Sequence, residues 1–168
     1  MPVISTALLD KPAVAPNPEE QGGATKNPVA ARAYTTETVH GRVVWLDEAL
    51  KRLYDVTTEA EAAETAVVLE MADGRLLPIV PDVRGRAFMV DARLRNVELE
   101  LLVRRYAGVP MIQVIRMFRT TPEGRFEIDY WCDVCAIPMF ILKACECCQG
   151  PTRIREQKVD ADEGVAKP

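Results

Sequence analysis

Apolar positions along the chain fall into short alternating runs separated by turn signals, which is the pattern of a β-rich protein with few helices. Val39-His-Gly-Arg-Val-Val-Trp-Leu46 is β-branched and aromatic and predicts a strand. Leu50, Leu53 and Tyr54 share one face at helical spacing, which predicts a short helix over 48–54 with Asp47 as its cap. Thr57 or Thr58 could cap a further helical turn through Glu64. Two apolar runs, Val67–Met71 and Leu76–Val80, flank Asp73-Gly74 and predict a hairpin with a type I′ turn, with Pro78 at an edge or bulge. Pro81–Gly85 breaks the pattern. Arg86–Ala92 could be a short helix, although its apolar residues mark no single face.

The longest alternations follow. Val97, Leu99, Leu101 and Val103 form one set; Ile112, Val114 and Phe118 form the next. Ala107-Gly108 and Thr121–Gly124 are the connections, and Phe126, Ile128 and Tyr130 alternate into Cys132. The sequence of elements resembles an OB-fold domain over residues 37–120: five strands, with a helix between the third and fourth. The Gly41-Arg-Val-Val opening and the Asp73-Gly74 hairpin carry that resemblance, and the helix after the first strand departs from it. A meander-type open sheet would give the same pattern. The fold class expected is mainly β with short helices, an OB-like five-stranded barrel with a short zinc-ribbon or knuckle pair appended over 121–156. Residues 1–36, with five prolines and no periodicity, and residues 157–168 read as disordered tails.

The chemistry is concentrated in Cys132-Asp-Val-Cys135 and Cys145-Glu-Cys147-Cys148-Gln-Gly150, which hold all five cysteines. Two Cys-x-x-Cys turns a short loop apart can deliver four thiolates to one tetrahedral ion. Cys132, Cys135, Cys145 and Cys148 are the expected ligands, and zinc the expected ion, with mononuclear iron the alternative. Gly150, two places after Cys148, is expected to complete the second turn at positive φ, whereas the first turn lacks a glycine there. Cys147 is left as a spare thiol, an alternative ligand, or a redox-sensitive group beside the metal. Two disulfides or free thiols would be the other use of the cluster.

Catalytic signals are absent from the sequence. His40 is the lone histidine and Ser5 the lone serine, and neither a Gly-x-x-x-x-Gly-Lys nor a Gly-x-Gly-x-x-Gly occurs. A four-cysteine shell also leaves no open position for a reacting water. The net charge of −4 hides a basic middle, since Arg75–Arg125 carries ten arginines against five acids. Arg104, Arg105, Arg116 and Arg119, with Trp131, could therefore contact single-stranded nucleic acid through phosphates and base stacking. A solvated charged face explains the same residues. No apolar stretch reaches the roughly 18 residues of a membrane helix. The chain as written reads as cytoplasmic, though an export signal ahead of the given start would change that.

Asp129-Tyr-Trp-Cys-Asp-Val-Cys-Ala-Ile-Pro-Met and Cys145-Glu-Cys-Cys-Gln-Gly-Pro-Thr-Arg-Ile-Arg, with Val43-Val-Trp and Leu101-Leu-Val-Arg-Arg-Tyr-x-Gly-Val-Pro-Met, resemble a family of small uncharacterised bacterial proteins over residues 39–156. That resemblance implies domain limits and no activity. The function expected is a non-enzymatic, zinc-binding scaffold or binding module, its partner single-stranded nucleic acid or a protein. The alternative is a metal-handling or thiol-redox protein.

Overall fold

The computed structural model describes residues 33–159. Eight strands form an antiparallel sheet: β1 (Tyr34–Trp45), β2 (Val67–Glu70), β3 (Leu76–Pro78), β4 (Glu98–Tyr106), β5 (Ile112–Thr121), β6 (Gly124–Cys132), β7 (Ile137–Met139) and β8 (Arg153–Val159). Two helices interrupt them, α1 (Leu46–Tyr54) and α2 (Val83–Val90). The order is β3-β2-β1-β4-β5-β6-β7, with β8 also on β6. The sheet does not close. A single parallel bridge between Ile79 and Ile112, backed by Val80 N–H donating to the Ile112 carbonyl at 2.9 Å, reaches from the end of β3 to the start of β5.

One face of this sheet carries the main core. Val43, Leu69, Leu99, Leu101, Val103 and Ile112 alternate inward and bury Phe88 and Ala87 of α2 beneath them. Asp82 caps α2, its Oδ1 accepting from the Arg84 and Gly85 N–H groups, so the stretch that breaks the strand pattern is the start of a helix. The helix begins earlier than its apolar residues suggest because Asp82 supplies the cap, and it buries Phe88 and Ala87 while Val83 and Val90 face solvent. α1 covers the opposite face of β1 and β2. Ala49 packs on Val44 and Val68, so β2 is buried on both sides. This accounts for the extra helix after the first strand. Its N-cap is Trp45 without a side-chain bond, and Asp47 instead accepts from Glu64 N–H at 3.3 Å.

Several local expectations change. β1 begins at Tyr34 and pairs it with Tyr106, so residues 34–36 belong to the sheet; residues 157–159 likewise belong to β8, paired with β6. Residues 1–32 and 160–168 of the expected tails lie outside the described residues. The helical turn expected before Glu64 is a three-residue 3-10 turn, Ala60–Ala62, with no side-chain cap. The 71–75 hairpin has positive φ at Gly74 and not at Asp73, with Gly74 N–H bonded to the Met71 carbonyl and Met71 N–H to the Arg75 carbonyl, both at 2.9 Å. It is a three-residue loop ending in a left-handed glycine, not type I′. A bulge shifts the β4–β5 register: Leu102 faces Arg116 but Val103 faces Val114, leaving Ile115 unpaired. The extra residue moves Met117 onto the core face and turns Phe118 to the opposite one, so Phe118 does not continue the Ile112–Val114 set. Phe118 is still fully buried, beneath the guanidinium of Arg125 at 3.5 Å.

Candidate metal centre

β6 carries the alternation Ile128, Tyr130, Cys132 into the core. Its first half pairs with β5 through Thr121↔Gly124 to Phe118↔Glu127, and its last residues pair with β7 through Tyr130↔Met139 to Cys132↔Ile137. β8 runs along the other edge, from Arg125↔Val159 to Trp131↔Arg153. The first cysteine turn is thus the β6–β7 connection, and the second lies in the loop that leads to β8.

Both turns have the same backbone construction. Ala136, the residue after Cys135, has φ 54° and donates its N–H to the Cys132 carbonyl at 2.8 Å. Gln149, the residue after Cys148, has φ 58° and donates to the Cys145 carbonyl at 2.9 Å. The left-handed position is therefore the one directly after the second cysteine in each case, and the two turns are equivalent. Gly150 does not take positive φ. It serves by its size, since a Cβ there would stand 3.2 Å from the Cys148 sulfur, and its carbonyl accepts from Cys145 N–H at 2.9 Å.

These turns bring the sulfurs of Cys132, Cys135, Cys145 and Cys148 within 4.8 Å of one another. A tetrahedral ion with metal–sulfur bonds near 2.3 Å sets its sulfurs about 3.8 Å apart, so the cluster fits such an ion. Cys132 and Cys148 are 3.5 Å apart, too far for a disulfide, and all five cysteines are free thiols. Cys132 and Cys145 are buried, while Cys147 faces solvent.

The protein environment treats the sulfurs differently. Backbone N–H groups of Cys148 and Cys147 favour the Cys145 thiolate and bring its pKa down to about 7. Cys135 is pushed the other way by its contacts with the Cys147 and Cys148 sulfurs and by burial. At Cys132 the Cys135 N–H favours the thiolate, but burial and the neighbouring sulfurs outweigh it and raise the pKa. Four thiolates so close repel one another unless a cation sits between them, and these four cysteines could hold one.

Side chains around the cluster fix it to the sheet. Arg153 of β8 binds the Asp133 carboxylate in the first turn through two contacts of 2.9 Å. Thr152 Oγ1 donates to the Lys143 carbonyl at 2.8 Å ahead of the second turn. Arg155 pairs with Asp129 and lies 3.8 Å over the Trp131 ring. Met139 and Ile141 join the same core cluster as β1–β5. Deeper in, Tyr130 donates its hydroxyl to Asp91 Oδ2 at 2.8 Å, and Arg93 grips the same carboxylate. Burial works against the Asp91 anion, but those hydrogen bonds outweigh it and hold the carboxyl below its ordinary range. Sequence reasoning had no signal for this tie, because Tyr130 and Asp91 are far apart in the chain.

The basic residues of the middle segment do not gather on one surface. Arg104 and Arg105 are neighbours on β4 and so point to opposite faces. Arg105 binds Glu37, Arg116 binds Glu127 with Nε 2.8 Å from Oε1, Arg119 binds Glu156 at 2.5 Å, and Arg125 binds Glu100 at 2.6 Å. Arg104 lies over the Tyr34 ring at 4.9 Å. Acids from β1, β4, β6 and β8 thus take up much of the positive charge concentrated in Arg75–Arg125. His40 lies on β1 and is not one of the four clustered residues. Among the described residues no helix is long and apolar enough to cross a membrane.

Comparison with protein-family models, with curated proteins and with solved structures gives no match to this chain.

Proposed function

We propose that the chain is a non-enzymatic scaffold or binding protein, an OB-like β-domain whose far end is fastened by one structural zinc on Cys132, Cys135, Cys145 and Cys148. The observation that carries this reading is the convergence of those four sulfurs within 4.8 Å. Four thiolates suit zinc, and a shell closed by four protein ligands leaves no coordination position for a reacting water. The strand order and the Ile79–Ile112 bridge support the OB-like description of β1–β5, and the flanking of both cysteine turns by β6, β7 and β8 supports a zinc-ribbon-like description of the rest. The zinc would hold the two turns at a fixed separation. Its partner is single-stranded nucleic acid or a protein, with Arg104, Arg116 and Trp131 on one sheet face as the contact residues in the first case and Arg105 and Arg119 outside that face.

Metal content decides the first part. The purified protein should carry one zinc per chain, and its removal by a strong chelator should abolish cooperative melting of the cysteine end. Iron, or thiols that titrate freely with no metal bound, would overturn it. A Cys147→Ser variant should retain the ion; loss of the ion would show that Cys147 is a ligand. Binding of a labelled single strand should weaken with salt and with Arg116→Ala, and no binding at low salt would remove nucleic acid as the partner.

One observation favours the metal-handling alternative. Cys147 is exposed and directly precedes Cys148 of the cluster, a position from which it could displace a ligand. Rapid exchange of the bound ion with free metal, slowed by Cys147→Ser, would select this second reading.

A further inference from the structure

Arg84 and Arg104 stand apart from the other arginines of the sheet. Both line a hollow of about 400 Å³ between the start of α2, the β4–β5 pair and Phe140, floored by Val83, Val114 and Ile115. Among the described residues neither meets a carboxylate at ion-pair distance. Arg84 is stacked 3.6 Å from the Phe140 ring, and Arg104 lies over Tyr34. Arg86 also lacks an acidic partner among the described residues, but it is exposed on α2 and outside this hollow.

The two guanidinium groups are under-satisfied in different ways. Arg104 Nε is buried without a hydrogen-bond partner, an unfavourable state for a charged donor. Arg84 is desolvated, and burial lowers its pKa; Glu127, Asp82 and Asp129 act on it only at longer range. Two of those three are committed elsewhere, Glu127 to Arg116 and Asp129 to Arg155. Asp82, the acid on the rim, is occupied too. Its Oδ1 caps α2, and its Oδ2 accepts from Gln113 Nε2 at 2.9 Å. Gln113 is held in turn by Tyr106, whose hydroxyl donates to Gln113 Oε1 at 2.8 Å. The polar rim is thus internally bonded, while the two cations still have donors to offer.

We propose that this hollow is a binding site for a small organic oxyanion, a phosphate monoester or a carboxylate with an apolar or planar body. The oxyanion would accept from Arg84 and Arg104, whose planar forks suit both acids. The body would lie on Val83, Ile115 and the exposed part of Phe140. The volume falls within the range of pockets that take such molecules. The hollow shares Arg104 with the nucleic-acid face proposed above, and none of the four cysteines lines it.

The test uses the metal-loaded full chain at low salt, with phenyl phosphate, benzoate and inorganic phosphate as separate titrants, followed by amide shifts in two-dimensional NMR and by calorimetry. Saturable shifts at Val83, Arg84, Val114 and Ile115 are expected with phenyl phosphate or benzoate. Phenyl phosphate binding more tightly would mark phosphate esters as the class, and benzoate binding more tightly would mark carboxylates. Arg84→Gln and Arg104→Gln should each weaken the better titrant by roughly tenfold or more, the loss of one charge-assisted contact. Arg75→Gln, at the 71–75 hairpin, should not. Absence of saturable shifts with both phenyl phosphate and benzoate at 10 mM (about ten times the concentration that half-fills a 1 mM site), affinity unchanged from the unaltered protein in both glutamine variants, or shifts centred elsewhere would overturn the proposal. If a variant fails to fold, the shift map of the unaltered protein decides alone.

Discussion

From β1 to β5, Leu69, Leu101, Val103, Ile112 and Phe88 are sealed from solvent; from Val134 to Gly150 only Met139, Ile141 and Cys145 are buried. The first region has the apolar area to hold itself together, because each fully buried aliphatic or aromatic side chain contributes about 1.5–3 kcal/mol. The second has turns, a few charge pairs and four converging sulfurs. Its side-chain ion pairs are exposed, and such pairs add little. The contrast teaches that one end of the sheet is held by burial while the other has four sulfurs that could hold a metal ion, with β6 belonging to both.

Substitution of one of the four clustered cysteines should break the comparison most severely. Cys145→Ser removes a buried sulfur, and structural zinc sites contribute about 10–16 kcal/mol of apparent binding energy. Amide resonances of residues 133–152 should collapse while those of β1–β5 persist. Collapse of both would show that the two ends form one cooperative unit. Phe88→Ala attacks the other end. It empties a fully buried site against α2 and should cost about 3–5 kcal/mol in urea unfolding, with the metal still bound.

A smaller effect is expected where the two ends meet. Tyr130→Phe deletes the hydroxyl that binds Asp91 and should cost about 1–2 kcal/mol. The same pair predicts a pH dependence. The folded Asp91 carboxyl titrates below the ordinary value of 3.8, so its stabilising share is complete above that value and is lost as the pH falls through the folded value. Acid unfolding curves of the native protein and the Tyr130→Phe variant should therefore converge below pH 3.8. Parallel curves would mean that Arg93 alone sets the Asp91 titration. The smallest change is a gain. Ala136 holds a left-handed φ that costs a non-glycine residue about 1 kcal/mol, so Ala136→Gly should raise the melting temperature of the metal-loaded protein slightly. A drop would mean that the turn draws more from the Ala136 side chain than from its backbone.

The alternating strands and the cysteine quartet were legible because each is a local pattern. Leu99, Leu101 and Val103 announce a half-buried strand, and Cys-x-x-Cys spacing announces converging sulfurs. Non-local features were not legible. The bulge at Ile115 leaves no sequence mark, yet it reverses the faces of Met117 and Phe118. α2 was obscured because its apolar residues surround the helix, and only packing decides that Phe88 is inside and Val90 outside. Gly150 drew attention for its backbone freedom, but the positive φ values fall on Ala136 and Gln149, residues whose identity gives no warning. The arginines looked like a basic surface because their acidic partners, Glu37, Glu100, Glu127 and Glu156, sit on neighbouring strands.

An open sheet leaves strands with unpaired backbone, and such edges invite pairing with another molecule. Here the outermost strands are poor templates for that. β3 ends in Pro78, β7 has Pro138 at its centre, and neither proline can donate to an incoming strand. β8 carries four charged side chains in seven residues, and charged side chains blunt an edge against an incoming strand. The sheet can stay open without becoming a seed for aggregation.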